Sequence, residues 1–202
     1  MSRSYTRFDQ QYFRKWYRST THRVRTPAEV ERKVRMVLGV AEFLLDRPVR
    51  SVLDVGCGEG PWQPILARLR PRLRYTGVDP SEYAVRRFGK KRNIRLGTFD
   101  RLDETGLRGK FDLIVCCDFL NYLPKPDLTR GVSHVTSLLG GVAYLEVYTA
   151  QDEIVGDLRG WHRRPTRWYR RFFEGAGLTS CGMHCYVGEA LYGNTVALER
   201  SG

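Results

Sequence analysis

The side chains best equipped for chemistry in this 202-residue sequence are carboxylates set at the ends of apolar runs. Asp54 interrupts the run 51–55, Ser-Val-Leu-Asp-Val, whose β-branched residues suit a buried strand. A buried carboxylate is expensive unless donors fill its lone pairs, so Asp54 signals a polar demand at the strand's end. Gly56, Gly58 and Gly60 follow at every second position, with Cys57 and Glu59 between them. Glycines at that spacing let the backbone turn sharply and bring it close to a ligand, because no Cβ stands in the way. Asp79 closes a second run, 73–79, Leu-Arg-Tyr-Thr-Gly-Val-Asp. A carboxylate there can accept two hydrogen bonds from the paired hydroxyls of a ribose. The alternative is that it caps the helix that begins after Pro80.

The elements that must position these groups follow from periodicity. Phe8, Tyr12, Phe13, Trp16 and Tyr17 recur at helical spacing, so 6–18 reads as a short helix with one aromatic side. Thr26-Pro27-Ala28-Glu29 combines a capping box with proline at the first helical position, and apolar residues from Val30 to Leu45 continue that helix to Pro48. Beyond the glycines the reading is helix 62–70, strand 73–79, helix 81–88, strand 93–98, strand 111–117, helix 124–139 ended by Gly140-Gly141, strand 142–148 and helix 165–175. Two final strands, 178–187 and 191–200, leave three residues between them, too few for a crossover, and imply an antiparallel hairpin. Strands alternating with helices predict an α/β three-layer sandwich: a seven-stranded, mostly parallel sheet with an antiparallel terminal hairpin. One domain over 1–202 is expected, with 1–26 as an amino-terminal helical lid and 27–202 as a Rossmann-like core.

Composition sets outer bounds. A hydrophobic fraction of 42% with 12% aromatics belongs to a globular chain. No run approaches the roughly 18 apolar residues of a membrane span, and 1–17 lacks the apolar block of a secretory signal, so the expectation is a cytoplasmic protein. Five cysteines, Cys57, Cys116, Cys117, Cys181 and Cys185, are odd in number and read as reduced thiols. Cys181 and Cys185 flank His184, but no second pair lies at ligand spacing, so no metal is assigned. The net charge of +12 is clustered: seven Arg or Lys fall within 1–25, six within 86–95 and six within 159–171. Such clusters mark anionic partners or solvated helix faces.

The stretch Asp54-Val55-Gly56-Cys57-Gly58-Glu59-Gly60, followed by Val78-Asp79, resembles the first two motifs of the class I S-adenosylmethionine-dependent methyltransferases, and the element order matches that family over about 27–200. A dinucleotide fingerprint wants glycine where Pro61 stands, and the Gly-Lys-Ser/Thr of a P-loop is absent. The resemblance implies S-adenosylmethionine as cofactor and S-adenosylhomocysteine as its product. By it, Asp54, Gly56, Cys57 and Gly58 serve the methionine end, Asp79 and Pro80 the ribose, and Phe99 and Asp100 the adenine, with Asp103 and Glu104 as rivals to Asp100. Cys117, Asp118 and Tyr122 line the methyl-transfer pocket. The sequence departs from the nucleic-acid subgroups, having neither Asn/Asp-Pro-Pro-Tyr nor a Pro-Cys or Thr-Cys pair at this place, so Cys116 and Cys117 read as packing.

Methyl transfer from a sulfonium needs near-attack geometry, exclusion of water and at most one proton acceptor. Glu146 and Tyr148 at a strand's end and His162 in the next loop qualify; His162 is preferred for its ordinary pKa, against the bland reading of a surface histidine among arginines. The acceptor wall is assigned to Tyr12 and Trp16 of the lid, Trp62, Trp161, Arg163 and Trp168. Aromatics with arginines suit a flat or anionic molecule. The expected function is thus methyl transfer to oxygen or nitrogen of a small aromatic or anionic molecule by a monomer or homodimer. The alternatives are an RNA methyltransferase using its basic face and a catalytically silent scaffold of the same fold.

Overall fold

The computed structural model describes residues 8–19, 21, 24–153, 157–198 and 200. Asp9 opens α1 (Gln10–Phe13), which continues as one wider turn over Arg14–Arg18. Thr26 and Glu29 form the capping box of α2 (Pro27–Leu45), as the sequence predicts. There follow β1 (Ser51–Val55), α3 (Trp62–Leu69), β2 (Arg74–Asp79), α4 (Glu82–Arg92), β3 (Ile94–Leu96), β4 (Phe111–Cys117), α5 (Lys125–Leu138), β5 (Leu139–Glu146), α6 (Thr166–Gly175), β6 (Thr179–Ser180), β7 (Cys185–Val187) and α7 (Glu189–Tyr192).

These strands make one seven-stranded sheet in the order β3-β2-β1-β4-β5-β7-β6. The first five are parallel, and β7 runs antiparallel to both β5 and β6. Strand order reverses between β1 and β4, where an open α/β sheet leaves a crevice outside its carboxyl ends. Alternation along the strands builds two cores. Val52, Leu113, Val115, Val142 and Tyr144 face α2 and α3, while Leu53, Val55, Ile114, Cys116, Ala143 and Leu145 face α5 and α6. Complete burial of a side chain such as Leu66 contributes about 1.5–3 kcal/mol. The strand ends are thereby fixed from both sides.

Several boundaries depart from the sequence reading. The terminal hairpin lies inside the predicted strand 178–187. Gly182, Met183 and His184 all adopt positive φ (86°, 50° and 60°), reversing the chain so that the Cys181 N–H donates to the Cys185 carbonyl at 2.9 Å. No strand forms among the described residues of 191–200, since Gly188-Glu189 opens α7 instead. Gly140 and Gly141 do not end α5 but sit in β5, where a Cβ on Gly141 would lie 2.1 Å from the Asp112 carbonyl oxygen. α4 runs four residues past Phe88 to Arg92, because Asn93 takes the left-handed cap conformation at φ 50°. The predicted first helix begins in part on Thr6 and Arg7, which lie outside the described residues. Among the described residues no helix is long and apolar enough to cross a membrane, and no cluster of three metal-ligating side chains forms.

Candidate cofactor and acceptor site

The glycine turn after β1 is held from β2. Gly56, Gly58 and Gly60 have φ of 64°, 57° and 70°, a region that side-chain-bearing residues avoid. The N–H groups of Gly56 and Cys57 donate to the Val78 carbonyl at 2.8 and 3.3 Å. A Cβ on Gly56 would come within 2.5 Å of the Phe119 ring. Asp79 is only 5% exposed; one carboxylate oxygen accepts the Gly58 N–H at 2.6 Å and the other the Ser81 N–H at 2.9 Å. Burial pushes its pKa up to about 6, against those two hydrogen bonds. Asp54, equally buried, accepts the Tyr75 hydroxyl at 2.7 Å. Burial, outweighing that bond and helped by Asp79, raises it to about 7. Cys57 is buried beside them and its thiol is pushed well up, mainly by burial.

The amino-terminal aromatic stripe lies across this turn. Phe13 is buried over Gly58, whose Cβ would meet its ring at 3.0 Å, and packs against Tyr83 of α4 at 5.8 Å between centroids. Tyr12 meets Phe13 edge-on at 5.7 Å. Arg18 pairs with Glu59, and the Ser81 hydroxyl donates to the Phe8 carbonyl at 2.6 Å. Trp16 is half-buried beneath the Lys15 ammonium, 4.4 Å from its ring.

A second cluster closes the ends of β4 and β5. Glu146 is 4% exposed. It accepts Arg25 at 2.9 Å, Lys33, the Cys117 thiol at 2.9 Å and the Tyr144 hydroxyl at 3.2 Å. Against the upward push of burial, Arg25 and Lys33 hold it down at about 2. A carboxylate so saturated is a poor proton acceptor. Arg25 also donates to the Tyr148 hydroxyl at 2.9 Å and stands 3.4 Å from Asp118. Asp118 leaves β4 at φ 67°, a strained conformation for a residue other than glycine, and burial raises its pKa. Neither Arg25 nor Lys33 stands out from composition. Lys33 was legible as the one cation on the row Val30–Lys33–Val37 of α2, whereas Arg25 carries no local signal.

The remaining predicted residues divide. The Asn121 side chain accepts the Tyr148 N–H at 3.2 Å, and its backbone carbonyl accepts the His162 N–H at 2.9 Å, so the 162 loop is stitched to the end of β4. The His162 ring is exposed, its pKa lowered by partial burial and Arg164. The Tyr122 hydroxyl donates to the Asp157 carbonyl at 2.7 Å. The Trp161 indole N–H is buried with no partner among the described residues, and the Arg163 guanidinium lies 5.3 Å from its ring. Phe99 is buried against Phe119 at 5.4 Å, and Asp100 pairs with Arg130 at 3.3 Å. Two residues expected in the acceptor wall take part in packing. Trp62 is 4% exposed in the core, 6.0 Å from the Tyr144 ring, because it opens α3 facing the sheet. Trp168 stacks on Phe172 at 4.9 Å and under Arg164, as part of the α6 packing.

The model of a methyltransferase-domain family matches residues 28–185. Among curated proteins, a trans-aconitate 2-methyltransferase of Deinococcus radiodurans is 32% identical over 111 residues, which is 53% of this chain and 41% of that protein. An uncharacterized protein of Synechococcus sp. is 35% identical over 114 residues, 52% of this chain and 26% of that protein. The matched stretch thus spans less than half the length of these relatives. Among solved structures, magnesium protoporphyrin IX methyltransferase of Synechocystis, with bound S-adenosylhomocysteine, superposes with a TM-score of 0.61 at 19% identity, covering 85% of this chain and 86% of that one. An amino pentose methyltransferase of Micromonospora echinaspora, bound to S-adenosylmethionine, gives 0.60 at 18%, covering 76% and 87%. Both share the fold described above.

Proposed function

We propose, from the premise that this chain belongs to the methyltransferase-domain family, that it moves a methyl group from S-adenosylmethionine to an oxygen or nitrogen of a small aromatic or anionic molecule. When bound, that cofactor supplies a methyl already activated on a sulfonium sulfur and leaves as S-adenosylhomocysteine. The observation that carries the reading is the buried Asp79 carboxylate at the end of β2, tied to a glycine turn in which side chains at Gly56 and Gly58 would meet aromatic rings. That floor has no phosphate-binding lysine and suits an uncharged ribose. Structural neighbours that act on an amino pentose and on a magnesium porphyrin support a small acceptor.

In this reading Asp79 holds the ribose hydroxyls and Asp54, through Tyr75 and the turn, orients the methionine end. Asp100 stands at the adenine end, and Phe13 with Tyr12 excludes water above the turn. The Arg25–Glu146–Lys33 cluster fixes the wall where the acceptor sits. Tyr148 receives its hydrogen bond from Arg25, which leaves its own proton free to orient an acceptor oxygen or nitrogen. His162, with a lowered pKa, is neutral at pH 7 and able to accept a proton. Most of the rate enhancement then comes from orientation and exclusion of water. Calorimetry with S-adenosylhomocysteine tests the first step: micromolar binding at one site is expected, and no binding would leave a silent scaffold of the same fold.

A further inference from the structure

Two of the sequence's basic clusters, far apart in the chain, meet at one place. Gln10, Arg18, Tyr83, Arg86 and Arg87 line a depression of about 480 Å³ where the amino-terminal segment lies against α4. Arg14 and Lys15 continue the same surface on the segment's side. Arg18 is neutralised by Glu59, a residue of the glycine turn. The guanidinium groups of Arg14, Arg86 and Arg87 make no ion pair among the described residues, and all three are exposed. Arg86 and Arg87 of α4 line the depression itself and Arg14 of the segment lines the adjoining one, so uncompensated positive charge gathers along the seam and opposes the docking of the two elements. A ligand that carried two negative charges and several acceptor oxygens would remove that repulsion and bridge the seam, since guanidinium groups bind phosphate oxygens in pairs.

We propose that this depression binds the phosphate or diphosphate group of a small ligand, and that its occupant holds the amino-terminal segment down on α4. Gln10 supplies a neutral hydrogen-bonding group beside the cations, while the Tyr83 hydroxyl is held between Arg18 and Glu59, 3.3 Å from each. The site is local and concave, bounded by one turn of α4 and two turns of the segment, which suits a small phosphate ester better than an extended polyanion. Because Phe13 of the same segment covers Gly58, binding at the seam and binding at the glycine turn are coupled, and each tightens the other by the same factor. In that coupling the proposal rests on the methyl-transfer reading; direct anion binding does not.

The test uses the full chain and inorganic pyrophosphate. Calorimetry is expected to show one pyrophosphate site, and saturating pyrophosphate is expected to raise S-adenosylhomocysteine affinity about fivefold or more. Arg86→Ala with Arg87→Ala, both at exposed positions, should abolish both effects while leaving S-adenosylhomocysteine affinity without pyrophosphate unchanged. Lys90→Ala with Lys91→Ala, exposed cations of the same helix outside the depression, should leave both effects intact. Absence of pyrophosphate binding, equal loss in the two double variants, or the same gain from chloride at matched ionic strength would overturn the proposal. So would a short RNA that binds far more tightly than pyrophosphate with a steep salt slope, since that pattern reports an extended polyanion surface. If S-adenosylhomocysteine binds under no condition, the methyl-transfer reading fails, and pyrophosphate binding alone decides the site.

Discussion

The Asp79 carboxylate accepts the Gly58 N–H at 2.6 Å, so the end of β2 fixes the middle of the glycine turn that follows β1. One residue therefore shapes the floor of the crevice and, in the methyl-transfer reading, presents the acid that a ribose requires. Replacing it separates these roles. Asp79→Asn keeps an acceptor oxygen for one backbone N–H and should retain the fold, with a loss of about 1–2 kcal/mol in chemical denaturation. It should weaken S-adenosylhomocysteine binding at least about tenfold by calorimetry, equivalent to roughly 1.4 kcal/mol. Affinity within a few-fold of the parent would reduce Asp79 to a structural tie.

The same carboxylate sets a pH dependence. Its pKa is raised to about 6, chiefly by burial, and that of Asp54 to about 7 by burial. Raised acids bind protons more tightly in the folded state than in the unfolded chain, so their contribution to stability is full below about pH 4 and is lost as pH climbs through 6–7. Ligand affinity runs the opposite way, because the ionised Asp79 is the better acceptor. Affinity for S-adenosylhomocysteine should fall below pH 6 while the melting temperature of the ligand-free protein, corrected for other groups, gains. A flat affinity profile from pH 5 to 8 would contradict this assignment.

Arg25 and Glu146 form a buried ion pair at the ends of β4 and β5, with side chains 18% and 6% exposed. Arg25→Met leaves Glu146 with Lys33 as its one ion-pair partner and deprives Asp118 of its cation, and should destabilise the fold by about 2–3 kcal/mol. Glu146→Gln, which leaves two cations facing an amide, should behave similarly. Reversing both with apolar residues should recover part of the loss in a double-mutant cycle. Additive effects would mean that the pair is not coupled.

Deleting residues 1–20 removes Phe13 and Arg18 but neither the capping box of α2 nor the sheet. The truncated chain should unfold cooperatively near the parent temperature and yet lose methyl transfer to any acceptor the parent turns over. A fully active truncation would refute the covering role of the segment.

The fold was legible wherever local chemistry and tertiary demand agree. The capping box at Thr26, the β1 run and the glycines after it each carry their own reason for their conformation. Three kinds of feature were not. Gly141 is required by a carbonyl that arrives from β4, so its role is invisible along the chain and it passed for a helix stop. The turn at Gly182, Met183 and His184 puts two side-chain-bearing residues at positive φ without a Gly-Asn or Asn-Gly signal to announce it, so the hairpin lies inside one predicted strand. Trp62 read as a wall residue because it opens a helix beside the glycines, and only the direction of α3 against the sheet decides that it points inward. At the site, the acids on strand ends stood out because carboxylates are rare in apolar runs. Arg25 did not, since its partners come from residues about 90 to 120 positions away.

Phe13 resting on Gly58 has a consequence for the order of events. A molecule that enters over the turn must displace the ring, and one already beneath it must wait for the ring to lift. In the methyl-transfer reading, exchange at the crevice is expected to be paced by the segment, with the nucleoside entering first and its spent form departing last. Steady-state kinetics of such an enzyme are sequential and ordered, with product inhibition by the demethylated nucleoside competitive against the methyl donor alone.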